Sequence, residues 1–378
     1  MCHYQYSRLT FKTKLAKPLI YPAGKLVIID YIKGERRKIM KKKFLIVLCL
    51  ILVFLMLPDN PVSASGQRVV TDMTGKRVRI PRQVNRVADL WHANNQVVLL
   101  LGGQNKLVAT TPLVKHQHWF VAVDPAIKKV VAPFGGDQIQ VEELLKAQPE
   151  VVIAADPGQV KTARQAKLPV VNAMYTDFAG LKKSVSLTAQ VLGGSAPQIA
   201  QKYNRELDRN IKLVRKRLAG VRRPAVVHFV NANDLTKVDG RDTIVDEWIK
   251  IAGGKNAVTR KGNQITITAE ELLKANPQVI IVGSCTSHRA RQVLQKNRQL
   301  RNLTAVKENR VYGNPQGTFP WDRYSTEEAL QVLWAAQVLH PSRMKGIDMR
   351  AQTKKFYHDY YHYRLSNHQA QAILNGDN

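Results

Sequence analysis

Apolar and polar positions along this chain fall into two alternating rhythms. Short runs rich in β-branched residues, at 86–88, 107–110, 170–172, 226–230 and 310–312, predict strands. Helical stretches lie between them, and such alternation predicts parallel sheets covered by helices. The most informative pattern is a repeat. Glu142-Glu143-Leu144-Leu145-Lys146-Ala147-Gln148-Pro149-Glu150-Val151-Val152-Ile153 recurs as Glu270-Glu271-Leu272-Leu273-Lys274-Ala275-Asn276-Pro277-Gln278-Val279-Ile280-Ile281. Each copy reads as a short helix, a proline stop and a strand suited to the inside of a parallel sheet. Two copies of this length imply two related α/β lobes. The opening, 68–81, with Thr74 and Gly75 as its turn, predicts instead a small hairpin packed on the first lobe.

Between the copies, Ser195 and Pro197 predict a helix start, with Ser195 as N-cap and the proline in the first turn. Ile199, Tyr203, Leu207, Ile211, Val214 and Leu218 then share one face, and Gly220 and Pro224 end the run. At ~1.5 Å per residue such a helix is roughly 33 Å long, enough to cross both lobes and to limit their relative motion. The expected fold class is therefore α/β, with two Rossmann-like lobes of parallel sheet joined by a single long helix. The expected boundaries are 65–194 for the first lobe, 195–220 for the linking helix and 221–378 for the second lobe with its terminal helices.

Composition changes the picture at the amino terminus. With 378 residues and 44% hydrophobic composition the chain can bury a full core, but 58 Lys and Arg face only 28 Asp and Glu. Such an excess points to nucleic acid, a membrane surface or an acidic ligand. Lys41-Lys42-Lys43, the apolar run 44–57, Pro58 and the small-residue stretch Val62-Ser63-Ala64-Ser65 form the three parts of a secretory signal, so 40–64 is expected to be removed. The apolar run is shorter than the roughly 20 residues of a spanning helix. Export argues against nucleic-acid binding and favours adhesion to an anionic cell surface. Cys49 follows Leu48, where lipoprotein processing needs a small residue, so lipidation is not expected. Only Cys285 would then remain, which leaves no internal disulfide. Residues 1–39 read either as an over-extended gene start or as a basic cytoplasmic extension.

Several segments in this order resemble the solute-binding proteins of iron-siderophore, haem and cobalamin importers, whose lobes are joined by one long helix. They are Thr71-Asp72-Met73-Thr74-Gly75-Lys76-Arg77-Val78-Arg79-Ile80-Pro81, the two repeats, Ala252-Gly253-Gly254-Lys255-Asn256, and Trp321-Asp322-Arg323-Tyr324-Ser325 ahead of the last large helix. The resemblance covers about residues 66–375. It implies a monomer that carries a metal-bearing small molecule to an ABC transporter permease, has no intrinsic cofactor and catalyses nothing. It also implies that Glu142 and Glu270, one per lobe, dock on basic pockets of that permease, where two separated carboxylates fix register and orientation.

In open α/β sheets a ligand lies outside the carboxyl ends of the strands. That rule selects Trp91 and His92, then His116, His118 and Trp119, with Asp156 and Tyr175, in the first lobe. In the second it selects Asn231, Asn233, the loop 284–288, and Trp321, Asp322, Arg323 and Tyr324. Ser325-Thr326-Glu327-Glu328 fits a capping box that would hold the last group rigidly. Trp321 and Tyr324 offer flat apolar surface to a macrocycle or catecholate, Arg323 offers bidentate bonds to anionic oxygens, and His92 is the candidate metal ligand. His358 and His362 have metal-like spacing, but their aromatic neighbours predict a packed helix. No dinucleotide loop, nucleophile elbow or zinc motif is present, and Cys285 with His288 is a poor guide to a nucleophile pair. The expected solute is a ferric siderophore or haem. The alternatives are cobalamin or a nickel or cobalt chelate, and a surface-retained scavenger with no importer.

Overall fold

The computed structural model describes residues 66–377, so the predicted extension and signal segment lie outside the described residues. The hairpin is present as Gln67–Thr71 against Arg77–Pro81. Val70, Val78 and Ile80 point inward from it, while its turn is built on Asp72, whose Oδ1 accepts from the Thr74 amide and hydroxyl and the Lys76 amide. It docks on the first lobe through the Met73 amide to the Asn172 carbonyl, 2.9 Å, and Arg68 Nη2 to the Val191 carbonyl, 3.0 Å.

The first lobe holds a four-stranded parallel sheet in the order Leu107–Ala109, Val87–Asp89, Val151–Ala154, Val170–Asn172. The second repeat supplies Val279–Val282, an inner strand of the other sheet, flanked by Ala225–Phe229 and Val311–Gly313 in parallel. This second sheet is mixed, a departure from the all-parallel expectation. Lys237–Val238 pairs antiparallel with Ala225–Phe229 and with Ile265–Thr266. The few residues joining Phe229 to Lys237 are too short for a parallel crossover, so the chain must return antiparallel. Lys255–Asn256 adds in parallel at the other end of the same strand.

The linking helix runs Ala196–Arg217 with Pro197 in its first turn. Ser195 precedes it with helical backbone and no side-chain cap, contrary to expectation. The chain instead enters through Gly193 and Gly194, both in the left-handed region, which turns it directly out of the preceding helix, Phe178–Leu192. Tyr203, Leu207, Ile211 and Val214 are buried as the periodicity requires, and so are Glu206 and Asn210. These two polar groups are satisfied by elements of the second lobe. Glu206 Oε2 accepts from the Tyr360 hydroxyl at 2.8 Å, and Asn210 Nδ2 donates to the Ala329 carbonyl at 2.8 Å.

One apolar cluster runs through both lobes and the linking helix, from Val87 and Ile153 through Leu207 to Val226, Ile281 and Ile373. The outer faces of the two sheets have smaller cores of their own. Because the inner faces share one core, each lobe limits the motion of the other. The helix Met349–Tyr361 strengthens this coupling by packing on both Glu328–Leu339 and the first-lobe helix His92–Leu100. Among the described residues no helix is long and apolar enough to cross a membrane.

Candidate functional site

Loops that follow the strands of both lobes meet between them. Trp91 and Tyr175 of the first lobe and Tyr324 of the second pack edge to face, with ring centroids 5.5 to 5.6 Å apart. Trp91 and Tyr175 are buried there, so their rings join the lobes and offer little face to a solute. Next to them His92 stacks on Phe319, ring centroids 5.5 Å apart. One side of His92 meets solvent while protein crowds the rest, and the loss of hydration lowers its pKa, leaving a neutral imidazole with a free electron pair near pH 7.

Beyond Phe319 a cavity of about 650 Å³ opens between the lobes. Leu113 and Gln117 form its first-lobe side, and Ser284, Cys285, Thr286 and Arg289 with Gln316, Phe319 and Pro320 form the other. Gly376 and Asp377 close a third side. Thr286 caps the helix Ser287–Lys296 by accepting from the Arg289 amide.

The segment 321–324 sits differently from expectation. Trp321 has no exposed surface and lies in the shared core, so it presents no plate to a ligand. Asp322 and Arg323 belong to a buried charge cluster centred on His228. His228 Nδ1 lies 2.8 Å from Asp239 Oδ2 and its Nε2 lies 2.8 Å from Asp322 Oδ2, the second contact off the line of an ideal hydrogen bond. Arg323 Nη2 reaches the same two carboxylates at 3.0 and 3.6 Å. Burial alone would lower the His228 pKa, but two flanking carboxylates raise it, so both nitrogens carry protons. Burial would likewise raise Asp239, yet His228 and Arg323 hold it at about 2. The cluster therefore balances two cations against two anions, with Arg323 Nη2 committed to the carboxylates and its Nη1 buried without a hydrogen-bond partner among the described residues. Gly283 allows it, since a Cβ there would lie 2.7 Å from Asp322 Oδ2.

The other candidates separate in the same way. Asn231 Oδ1 accepts from the amides of Asn233 and Asp234, which makes it a turn residue, and Asp156 caps the helix Pro157–Gln165. His116 and His118 are exposed, and His118 meets Trp119 edge to face. Trp119 is buried and donates from Nε1 to the Asp377 carbonyl at 2.9 Å. The expected capping box at Ser325 is incomplete. The helix begins at Glu328, and Ser325, Thr326 and Glu327 turn inward to bond Gln96 of the first lobe. Glu142 and Glu270 occupy equivalent first-turn positions and are exposed, and neither forms an ion pair among the described residues, whereas Glu143 and Glu271 do. Leu145 and Leu273, one helical turn on, are also exposed, at 44% and 45%.

The profile of the periplasmic binding protein family matches residues 87–317. The chain belongs to that family. Among its relatives, the molybdate-binding protein MolA of Haemophilus influenzae is 26% identical over 351 residues, spanning 85% of this chain and 97% of its own. The structure of MolA bound to molybdate matches with a TM-score of 0.70, at 21% identity over 79% of this chain and 99% of that one. A periplasmic solute-binding protein from Veillonella parvula gives 0.72 at 26% identity, over 82% and 97%. CeuE of Helicobacter pylori in a Ni-His complex gives 0.68 at 19%, over 82% and 99%.

As a member of the periplasmic binding protein family the chain is a solute-binding protein. Burial pushes the Cys285 thiol up to about 11, and no contact joins it to the exposed His288, so it is a poor nucleophile. Among the described residues no group of three or more His, Cys, Asp and Glu could hold a metal ion. Of the residues around this cavity, the sequence reading named the loop 284–288 but not Leu113, Gln117, Arg289, Gln316 or Phe319. The one signal available was Gln316-Gly317-Thr318-Phe319-Pro320, a turn-rich stretch between a strand and a helix, the place where α/β sheets bind ligands.

Proposed function

We propose that this periplasmic binding protein captures a compact, polar, metal-bearing solute in the cavity between its lobes and delivers it to an ABC importer. The cavity of about 650 Å³, walled by both lobes, with His92 stacked on its wall residue Phe319, is the observation that carries this reading. Arg289 supplies a cation and Gln117, Ser284, Thr286 and Gln316 supply hydrogen-bonding groups, a set suited to an oxyanion or a small chelate. The likeness to MolA supports the oxyanion. Haem is less favoured, because Trp321 is in the core and Arg323 is held by Asp239 and Asp322. A ferric complex with an open coordination position is the second reading, favoured by His92 alone.

Delivery follows from the exposed pair Glu142 and Glu270, presented once per lobe toward a basic permease surface. Titration calorimetry of residues 65–378 with sodium molybdate, nickel with histidine, a ferric catecholate and haem tests the solute class. One-to-one binding of molybdate or the nickel chelate is expected. Tight binding of haem, lost in His92→Ala, would overturn the compact-solute reading.

A further inference from the structure

The carboxy-terminal segment crosses the cavity mouth. The helix Asn367–Asn375 is fixed at its start by a reciprocal cap between Ser366 and Gln369 and at its end by the buried Ile373. On the second-lobe side the Gln316 amide donates to the Ile373 carbonyl at 3.0 Å, and Gln316 Nε2 donates to the Gly376 carbonyl at 3.2 Å. Gly376 has φ of +79° and lies so close to the second lobe that a Cβ would stand 2.5 Å from the Cys285 carbonyl and 2.8 Å from that of Asn314. On the first-lobe side Trp119 Nε1 donates to the Asp377 carbonyl at 2.9 Å.

We infer that residues 373–377 are a strap that forms the third wall of the solute cavity, anchored firmly on the second lobe and latched to the first by Trp119. The inference rests on the cavity being the solute site. A neutral hydrogen bond has a small net strength in water, so the latch can open while the anchor holds. A solute that enters past the lifted strap is enclosed when Asp377 returns. The exposed Asp377 carboxylate then stands at the entrance, where it disfavours anions that Arg289 does not neutralise.

Cys285 reports on the strap without any solute, because it lines the same cavity beneath Gly376. The full chain is treated with iodoacetamide, and alkylation of the Cys285 peptide is followed by mass spectrometry. Trp119→Phe removes the donor and keeps the ring, and deletion of 376–378 removes the strap tip. Both are expected to speed alkylation by at least the about fivefold change that one ordinary hydrogen bond represents, with unaltered circular dichroism. Rates within twofold of the parent in both variants would overturn the strap. Sodium molybdate and nickel with histidine are then added to the parent. Protection of Cys285 that is lost in the deletion supports strap and solute site together. Faster alkylation with no protection by either probe keeps the strap and counts against the compact-solute reading.

Discussion

Gln96 in the first lobe and Glu327 in the second are 231 positions apart, and Gln96 Nε2 donates to Glu327 Oε2 at 2.8 Å in a fully buried setting. Around them the Thr318 hydroxyl and Phe319 amide donate to the same oxygen, and the Thr326 amide donates to Gln96 Oε1 at 2.8 Å. The Tyr361 hydroxyl lies 3.1 Å from Gln96 Nε2. This polar knot ties three elements together: the first-lobe helix, the turn before the last large helix, and a terminal helix. Burial pushes the Glu327 carboxyl up to about 7 despite its donors. A polar knot inside an apolar core fixes one arrangement of the lobes, because any other leaves its groups without partners.

Gln96→Leu strands the Thr326 amide and part of Glu327 in the core. Leaving buried polar groups unpaired costs about 1–3 kcal/mol, so the urea midpoint is expected to fall accordingly. An unchanged midpoint would show that the lobes are held without this knot.

Asp89 gives a pH prediction. Burial pushes its carboxyl up to about 8, against hydrogen bonds from Asn94 and Trp91 that favour the ionised form. An unfolded aspartate titrates near 4, so the folded state holds the proton more tightly. Its contribution is full below about pH 4 and is lost, at about 1.4 kcal/mol per pH unit, as pH rises to about 8. Asp89→Asn keeps the group neutral, and a flip of the Asn94 amide restores the bond to it and to Thr188. The stability of the variant relative to the parent is expected to rise between pH 5 and pH 8 in urea titrations. A constant difference would place the Asp89 titration elsewhere.

Arg323→Met leaves the buried Asp239 and Asp322 with only His228 to balance them. Breaking a buried ion cluster by removing one partner typically costs about 3–5 kcal/mol. Stability is expected to drop by that order, and solute affinities, corrected for the folded fraction, are expected to fall without preference for anionic solutes. Selective loss of anionic solutes with unchanged stability would return Arg323 to the solute site.

Reversal of Glu142 and Glu270 to Lys is expected to abolish uptake by the reconstituted importer while leaving calorimetric solute affinity within about twofold, since charges at a partner surface act on association. Leu145→Ser with Leu273→Ser should weaken uptake in the same direction by removing exposed apolar area. Equal loss of solute binding in the charge-reversed protein would sink the docking role.

The periodic pattern of the sequence determined the two lobes, because a parallel strand needs a run of β-branched residues and a covering helix needs one apolar face. The repeat around Leu144 and Leu272, and the face Tyr203–Leu207–Ile211–Val214 of the linking helix, follow from that local requirement. The equivalent first-turn positions of Glu142 and Glu270 were legible as well, because the repeat alone aligns them. What tertiary structure decided is which residues of a loop face the cavity. Trp321 and Phe319 are two positions apart in one turn, and only packing sends the first into the core and the second to the cavity wall. His228 sits in a strand whose pattern reads as apolar, and while Asp239 follows the next strand, Asp322 comes from a distant segment, so no local signal could announce the whole cluster. The same holds for Trp119 and Asp377. Local sequence sets the period of burial, but the meeting of groups hundreds of residues apart is fixed only when the chain closes around one core.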